Sequence, residues 1–138
     1  MRILGLDVGT VRIGVAQSDP MQILASSTEV IVRKNPTADA ERVAYLAKTL
    51  QANKIVVGLP LQMNGEEGQS VQLVKIFVEV LRPMVDGIEI AFQDERLSTV
   101  SAQRMLIEAD MRREKRKGVV DKVAATIILQ NYLDKQKR

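Results

Sequence analysis

Three acidic residues stand in places where an apolar core element does not ordinarily carry one. Asp7 interrupts the apolar run that begins at Arg2-Ile3-Leu4-Gly5-Leu6, and Gly9 follows it two residues later. Glu95, next to Asp94, stands where a later strand reads as ending, and Asp121 where the last helix reads as beginning. Burying a lone carboxylate costs several kcal/mol unless a cation or hydrogen-bond donors meet it. For Asp7 two partners are open: the backbone amides of a Gly9-Thr10 turn, or a metal ion. Glycines at 5, 9 and 14 would let a backbone or a phosphate come close, which favours the metal. Taken singly, Asp121 could answer a helix dipole, and Asp94 and Glu95 could form a turn or pair with Arg96. Taken together, they fit the crevice that strand ends and helix N-termini form in an open α/β sheet. Carboxylates gathered there repel one another unless divalent cations neutralise them. A pair of such ions about 3.5–4 Å apart supports in-line attack of water on a phosphodiester.

What the chain lacks narrows the chemistry further. It has no histidine and no cysteine, which removes imidazole acid–base chemistry, thiol nucleophiles, disulfides and the usual zinc sites. Catalysis would have to run on carboxylates, lysines or a metal held by oxygen ligands, and hard oxygen donors select Mg²⁺ or Mn²⁺. At 138 residues, with 46% hydrophobic content, one globular domain spanning residues 1–138 is expected. No apolar run approaches the roughly 20 residues needed to span a bilayer, and the start of the sequence does not read as a signal peptide. The expectation is a cytoplasmic protein that makes no membrane contact.

The elements that must position the acids follow from periodicity and breakers. Arg2 to Leu6, and Val11 to Ser18, read as two strands joined through Gly9-Thr10. Ile23 to Val32 reads as a third strand, antiparallel to its neighbours. Thr37 is a candidate cap for a helix reaching about Asn53, with Val43, Leu46, Ala47 and Leu50 at i, i+3, i+4 and i+7. Lys54 to Gly58 has the continuous apolar character of a buried parallel strand, followed by a loop to Gly68 and a helix from Glu67 to Arg82. Ile88 to Phe92 is a further strand, and Ser98 or Thr99 starts a helix to about Ala109. Met111 to Gly118 reads as a basic loop before a final helix over about 119–135. The methionines and the two tyrosines, Tyr45 and Tyr132, read as packing residues. The sum is an α/β fold, a mixed sheet layered by helices.

Charge is unevenly placed. Residues 1–100 carry 10 basic and 12 acidic side chains, whereas residues 101–138 carry 10 basic and 5 acidic. A net of −2 thus precedes a net of +5, a footprint that suits a polyanion. Arg112, Arg113, Lys115, Arg116 and Lys117 run up to Asp121 and are candidate phosphate clamps, against the alternative of a solvated charged loop. Arg12 is a further candidate phosphate contact, and Arg96 could orient Glu95 or touch phosphate. Aromatic content of 3% argues against base-stacking platforms, so backbone and shape would be recognised rather than bases.

Gly5-Leu6-Asp7-Val8-Gly9-Thr10-Val11-Arg12-Ile13-Gly14-Val15-Ala16-Gln17-Ser18-Asp19 resembles the first motif of the YqgF family, the RuvC-related, RNase H-like group of Holliday junction resolvases and pre-ribosomal RNA nucleases. Val57-Gly58-Leu59-Pro60-Leu61, continuing through Gly65 to Gly68, resembles its second motif. Asp94-Glu95-Arg96-Leu97-Ser98-Thr99 resembles the third, and Asp121 with Ala124-Ala125 and Ile128-Leu129 the fourth. The resemblance covers essentially the whole chain and departs from the family pattern at Gln62, Asn64 and Glu66. It implies an RNase H-like fold: a five-stranded mixed sheet, three antiparallel N-terminal strands followed by parallel ones, flanked by helices. It also implies a Mg²⁺- or Mn²⁺-dependent nuclease processing the 5′ end of small-subunit ribosomal RNA precursor. Asp7, Glu95 and Asp121 would be both its catalytic residues and its metal ligands.

The expected partner is structured RNA, with branched DNA as an alternative, and ribosomal precursor particles fit the same reading. A monomer or a weak homodimer is expected. Two other classes compete. Asp-x-Gly-Thr after a first strand also looks like the phosphate-binding turn of actin-like ATPases, which need a second lobe that 138 residues cannot supply. A non-catalytic ribosome-assembly factor would keep the fold and use only the basic residues.

Overall fold

The computed structural model of the chain describes residues 1–60, 68–94 and 113–136, with the side chains of 113–122 excepted. Strands β1 (Arg2–Val8), β2 (Arg12–Ser18) and β3 (Ala25–Val32) come first, followed by helix α1 (Pro36–Thr49) and strand β4 (Ala52–Leu59). Helix α2 (Gln69–Leu81), a 3₁₀ turn (Arg82–Val85), strand β5 (Glu89–Asp94) and helix α3 (Arg113–Gln136) complete the order. The five strands form one mixed sheet in the order β3-β2-β1-β4-β5. β1 pairs antiparallel with β2, and β2 with β3; β1 and β4 are parallel, as are β4 and β5. The expected RNase H-like layout is the one observed.

Side chains that alternate along β1 sort into two cores, as a strand covered on both faces requires. Leu4, Leu6 and Val8 meet Val43, Leu46, Val74 and Phe77 from α1 and α2 on one face. Ile3 meets Ala124, Ala125, Ile128, Leu129 and Leu133 of α3 on the other. Asp7, two residues after Gly5 and four after Ile3, therefore belongs to the α3 face. At Gly5 α3 comes close to the sheet: a Cβ built there would lie 2.7 Å from Leu129 Cβ and 3.1 Å from the Ala125 carbonyl oxygen. The openness expected at residue 5 is thus filled by a helix rather than by a ligand.

Several boundaries differ from the sequence expectation. Helix α1 is capped by Asn35, whose Oδ1 accepts from Ala38 N at 2.8 Å. Pro36 fits the first helical position, where its missing N–H costs nothing, so the cap falls two residues before Thr37. Helix α3 begins at Arg113, so residues 113–118 are helical where a basic loop was expected. Charge runs carry no apolar period, and the run Arg113 to Lys117 hid helix-favouring residues. Tyr45, expected to pack, is 57% exposed beside Arg42, and Met1 and Met21 are exposed too. Tyr132 is half-buried, and its hydroxyl accepts from Lys54 Nζ at 2.6 Å.

The β2–β3 connection is closed by Asp19, whose Oδ1 accepts from the backbone amides of Ile23 at 2.7 Å and Leu24 at 3.0 Å. Those amides, Leu24 first, hold its carboxyl below the ordinary aspartate value. A folded-state value below the unfolded one contributes stability that is present above about pH 4 and lost as pH falls through the folded value. The Ile23 and Leu24 amide resonances should therefore shift together in an acid titration, with a midpoint below that of a free aspartate. A midpoint at or above the free value would show that Asp19 does not hold this loop.

Candidate functional site

Because β1, β4 and β5 run parallel, their C-terminal ends share one edge of the sheet, and Asp7 lies at that edge. The residue is 7% exposed. On one side Asp7 pairs with Gly14 of β2. On the other, Leu6 pairs with Val57, so the next residue across is Gly58 of β4. Gly58 in turn pairs with Gln93 of β5, which is buried, and Leu59 with Asp94. On the α3 face the buried carboxylate is thus flanked on both strands by residues without side chains, and the nearest polar group in register is the Gln93 amide. Neither Gly58 nor Gln93 stood out in the sequence as a neighbour of Asp7. The signal was a lone glycine ending an apolar strand, and its register partner lies some fifty residues away in sequence.

The β1–β2 turn beside Asp7 is tightly closed. Gly9 N donates to Arg12 O at 2.9 Å, and a Cβ on Gly9 would lie 2.9 Å from that same oxygen. This requires glycine for space. The Gly9 amide, offered from sequence as one possible partner for Asp7, is taken up by the hairpin. Arg12 opens β2 opposite Val32 and is half-buried.

Of the other expected site residues, Asp121 lies in α3, the ninth residue of that helix. It was expected in the first turn, where a carboxylate would answer the helix dipole. Two turns in, that effect has decayed, and the structural alternative for Asp121 loses its ground. Arg113, Lys115, Arg116 and Lys117 occupy the opening turns of the same helix. Glu95 follows Asp94, the last residue of β5, and lies outside the described residues, as do Arg96, Arg112, the expected helix over about 98–109 and loop residues 61–67. Among the described residues no three acidic side chains come together. No helix among them is long and apolar enough to cross a membrane.

Comparison with known proteins adds lineage to this geometry. A chain from Halothermothrix orenii named "Putative pre-16S rRNA nuclease" is 48% identical over 138 residues, covering 100% of this chain and 98% of that one. One of the same name from Clostridioides difficile is 50% identical over 133 residues, covering 96% and 94%. Among solved structures, Thermus thermophilus RuvC in complex with a Holliday junction substrate superposes with a TM-score of 0.59 at 12% identity, covering 99% of this chain and 96% of that one. The fowlpox virus resolvase with its Holliday junction DNA gives 0.54 at 11% identity, covering 100% of both chains. At such identities these two show a shared fold. The model of the RuvX family, described as Holliday junction resolvase, matches residues 1–135, and the chain belongs to that family.

Proposed function

We propose that this protein is a metal-dependent nuclease that hydrolyses phosphodiester bonds of structured nucleic acid, with the 5′ end of pre-16S rRNA as its substrate. The observation that carries the reading is Asp7: a buried carboxylate, flanked by Gly14 and Gly58, at the edge where three parallel strands end. Distances along the fold support Asp121 as its partner. Helix α3 runs antiparallel to β1, since Tyr132 reaches Lys54 at the start of β4 while Leu129 and the Ala125 carbonyl lie over Gly5. From Gly5 to Asp7 the strand advances about 6.6 Å, which a helix covers in about four residues. From its contact with Gly5 through Leu129 and Ala125, α3 therefore continues toward the Asp7 edge in the direction in which Asp121 lies. Glu95 comes directly after Asp94, at the end of the strand whose Gln93 is in register with Gly58. The names carried by relatives that cover nearly the whole chain support RNA as the substrate.

The residues fit a hard divalent cation. The proposed donors, Asp7, Glu95 and Asp121, are all carboxylates, the hard oxygen ligands that such ions prefer. Mg²⁺ or Mn²⁺, when bound, supplies positive charge against the negative charge that develops on the phosphate. Asp7, Glu95 and Asp121 hold it and, by their own charge, keep the site closed to phosphate until a cation is present. Arg12, Arg96 and Arg112 with Arg113, Lys115, Arg116 and Lys117 hold the nucleic-acid backbone across the acids. The protein works in the cytoplasm.

A transcript spanning the 5′ junction of 16S rRNA and a four-way DNA junction, each incubated with Mn²⁺, Mg²⁺ or EDTA, test the proposal. Cleavage of the transcript with metal and not with EDTA is expected. Inertness toward both substrates in every metal would sink it. Cleavage of the junction alone would favour branched DNA, the second reading, which the family description supports. Replacing Arg112, Arg113, Lys115, Arg116 and Lys117 by alanine should flatten the dependence of log K on log salt by about 0.7–0.9 for each phosphate no longer neutralised. An unchanged slope would return the basic run to a solvated helix face.

A further inference from the structure

Besides the sheet ladders and α3, one side chain ties the Asp7 hairpin to the rest of the fold: Arg33. It follows β3, and its backbone N donates to Val11 O at 2.9 Å. Its Nη1 donates to Gly9 O at 2.9 Å, and its Nε donates to Asp39 Oδ2 at 3.0 Å. The guanidinium lies 5.5 Å from the centre of the Phe77 ring, a fully buried residue of α2. Asp39, in the first turn of α1, is 2% exposed. Its other oxygen accepts from Lys34 N at 3.0 Å. One planar cation thus ties the turn two residues beyond Asp7 to both helices of the opposite layer.

The bond to Gly9 is separable from the rest. Asp39 has one oxygen met by Arg33 Nε and the other by Lys34 N, so the buried acid is satisfied without any contribution from Nη1. Phe77 needs only the flat face of the guanidinium. The Nη1–Gly9 link therefore adds nothing to the pairing of the ion pair and is directed at the hairpin alone. We propose that Arg33 is a positioning residue for Asp7, fixing the β1–β2 turn and through it the carboxylate two residues earlier. The consequence for catalysis rests on the reading of Asp7 as a metal ligand; the fixing of the turn does not.

Arg33→Lys tests this, because a single ammonium keeps the charge beside Asp39 but lacks the rigid fork that reaches Asp39 and Gly9 together. Four readouts apply: amide hydrogen exchange by residue, Mn²⁺ affinity by calorimetry, and kcat and KM on the precursor transcript. The Gly9 amide is expected to exchange about tenfold faster while protection in β4 and α1 is unchanged. Mn²⁺ affinity and kcat should each fall by about 10–100-fold, the usual effect of losing a group that orients a ligand, and KM should stay the same. Unchanged Gly9 exchange, or a uniform loss of protection across the chain, would overturn the role of Arg33. Absence of Mn²⁺ binding by the wild-type protein would instead overturn Asp7 as a ligand, and with it the positioning role. Should Arg33→Lys fail to fold, Phe77→Leu removes the ring under the guanidinium while keeping an apolar side chain there. It should raise Gly9 exchange in the same selective way, and a uniform rise would count against the proposal.

Discussion

Asp7→Asn is expected to lower the rate of precursor cleavage by about a thousandfold, equivalent to ~4 kcal/mol of transition-state stabilisation, while RNA affinity stays within about threefold. The substitution keeps the shape of the side chain and removes its charge. With no histidine or cysteine anywhere in the chain, no imidazole or thiolate can take over a ligand role at the end of β1. The flanking glycines sharpen the effect, because neither Gly14 nor Gly58 has a side chain that could move in and substitute. The basic residues at the start of α3, the proposed phosphate contacts, are untouched by the change. Stability in EDTA should change little, since an amide is easier to bury than a carboxylate and offsets part of whatever hydrogen bonding is lost. The same variant separates a nuclease from a non-catalytic assembly factor. Wild-type cleavage by Asp7→Asn would mean that the acids are spectators and that the fold serves binding alone.

How much of this was legible before coordinates depended on the range of the interaction. Asp7 stood out because one strand of seven residues contains the whole anomaly, a carboxylate in an otherwise apolar alternation. The two-sided burial of β4 was equally local, since Ile55-Val56-Val57 has no polar face to give to water. The neighbours of Asp7 were not legible. That Gly14 and Gly58 flank it, and that Gln93 follows across the sheet, is set by register between segments up to some eighty residues apart. Periodicity within one segment carries no information about register. The start of α3 escapes the sequence for a different reason: its first six residues include no apolar side chain, and charge density mimics a loop. Arg33 looked like part of a strand-terminating Arg33-Lys34-Asn35-Pro36 break, and its partners at 9, 39 and 77 come from three separate elements.

Gly5→Ala should be strongly damaging for a change of a single methyl group. The added carbon would sit 2.7 Å from Leu129 Cβ and 3.1 Å from the carbonyl oxygen of Ala125, against the 3.5–4.0 Å at which two carbons rest comfortably. Neither contacted atom is the end of a flexible side chain, so no rotamer change relieves the contact. Helix α3 must lift from the sheet by about 1 Å, opening the second core around Ile3, Val56 and Ile128. Overpacking of this kind costs about 1–3 kcal/mol, and a domain of this size loses roughly 3–6 °C in Tm per kcal/mol. If Asp121 joins Asp7 in the proposed site, the same lift draws the two apart, and a misplacement of 1 Å can cost about a hundredfold in rate. Leu129→Ala should not rescue the variant, because it leaves in place the very atom that collides. Wild-type Tm in Gly5→Ala, or recovery of stability in the Gly5→Ala/Leu129→Ala pair, would show that α3 does not seat on Gly5.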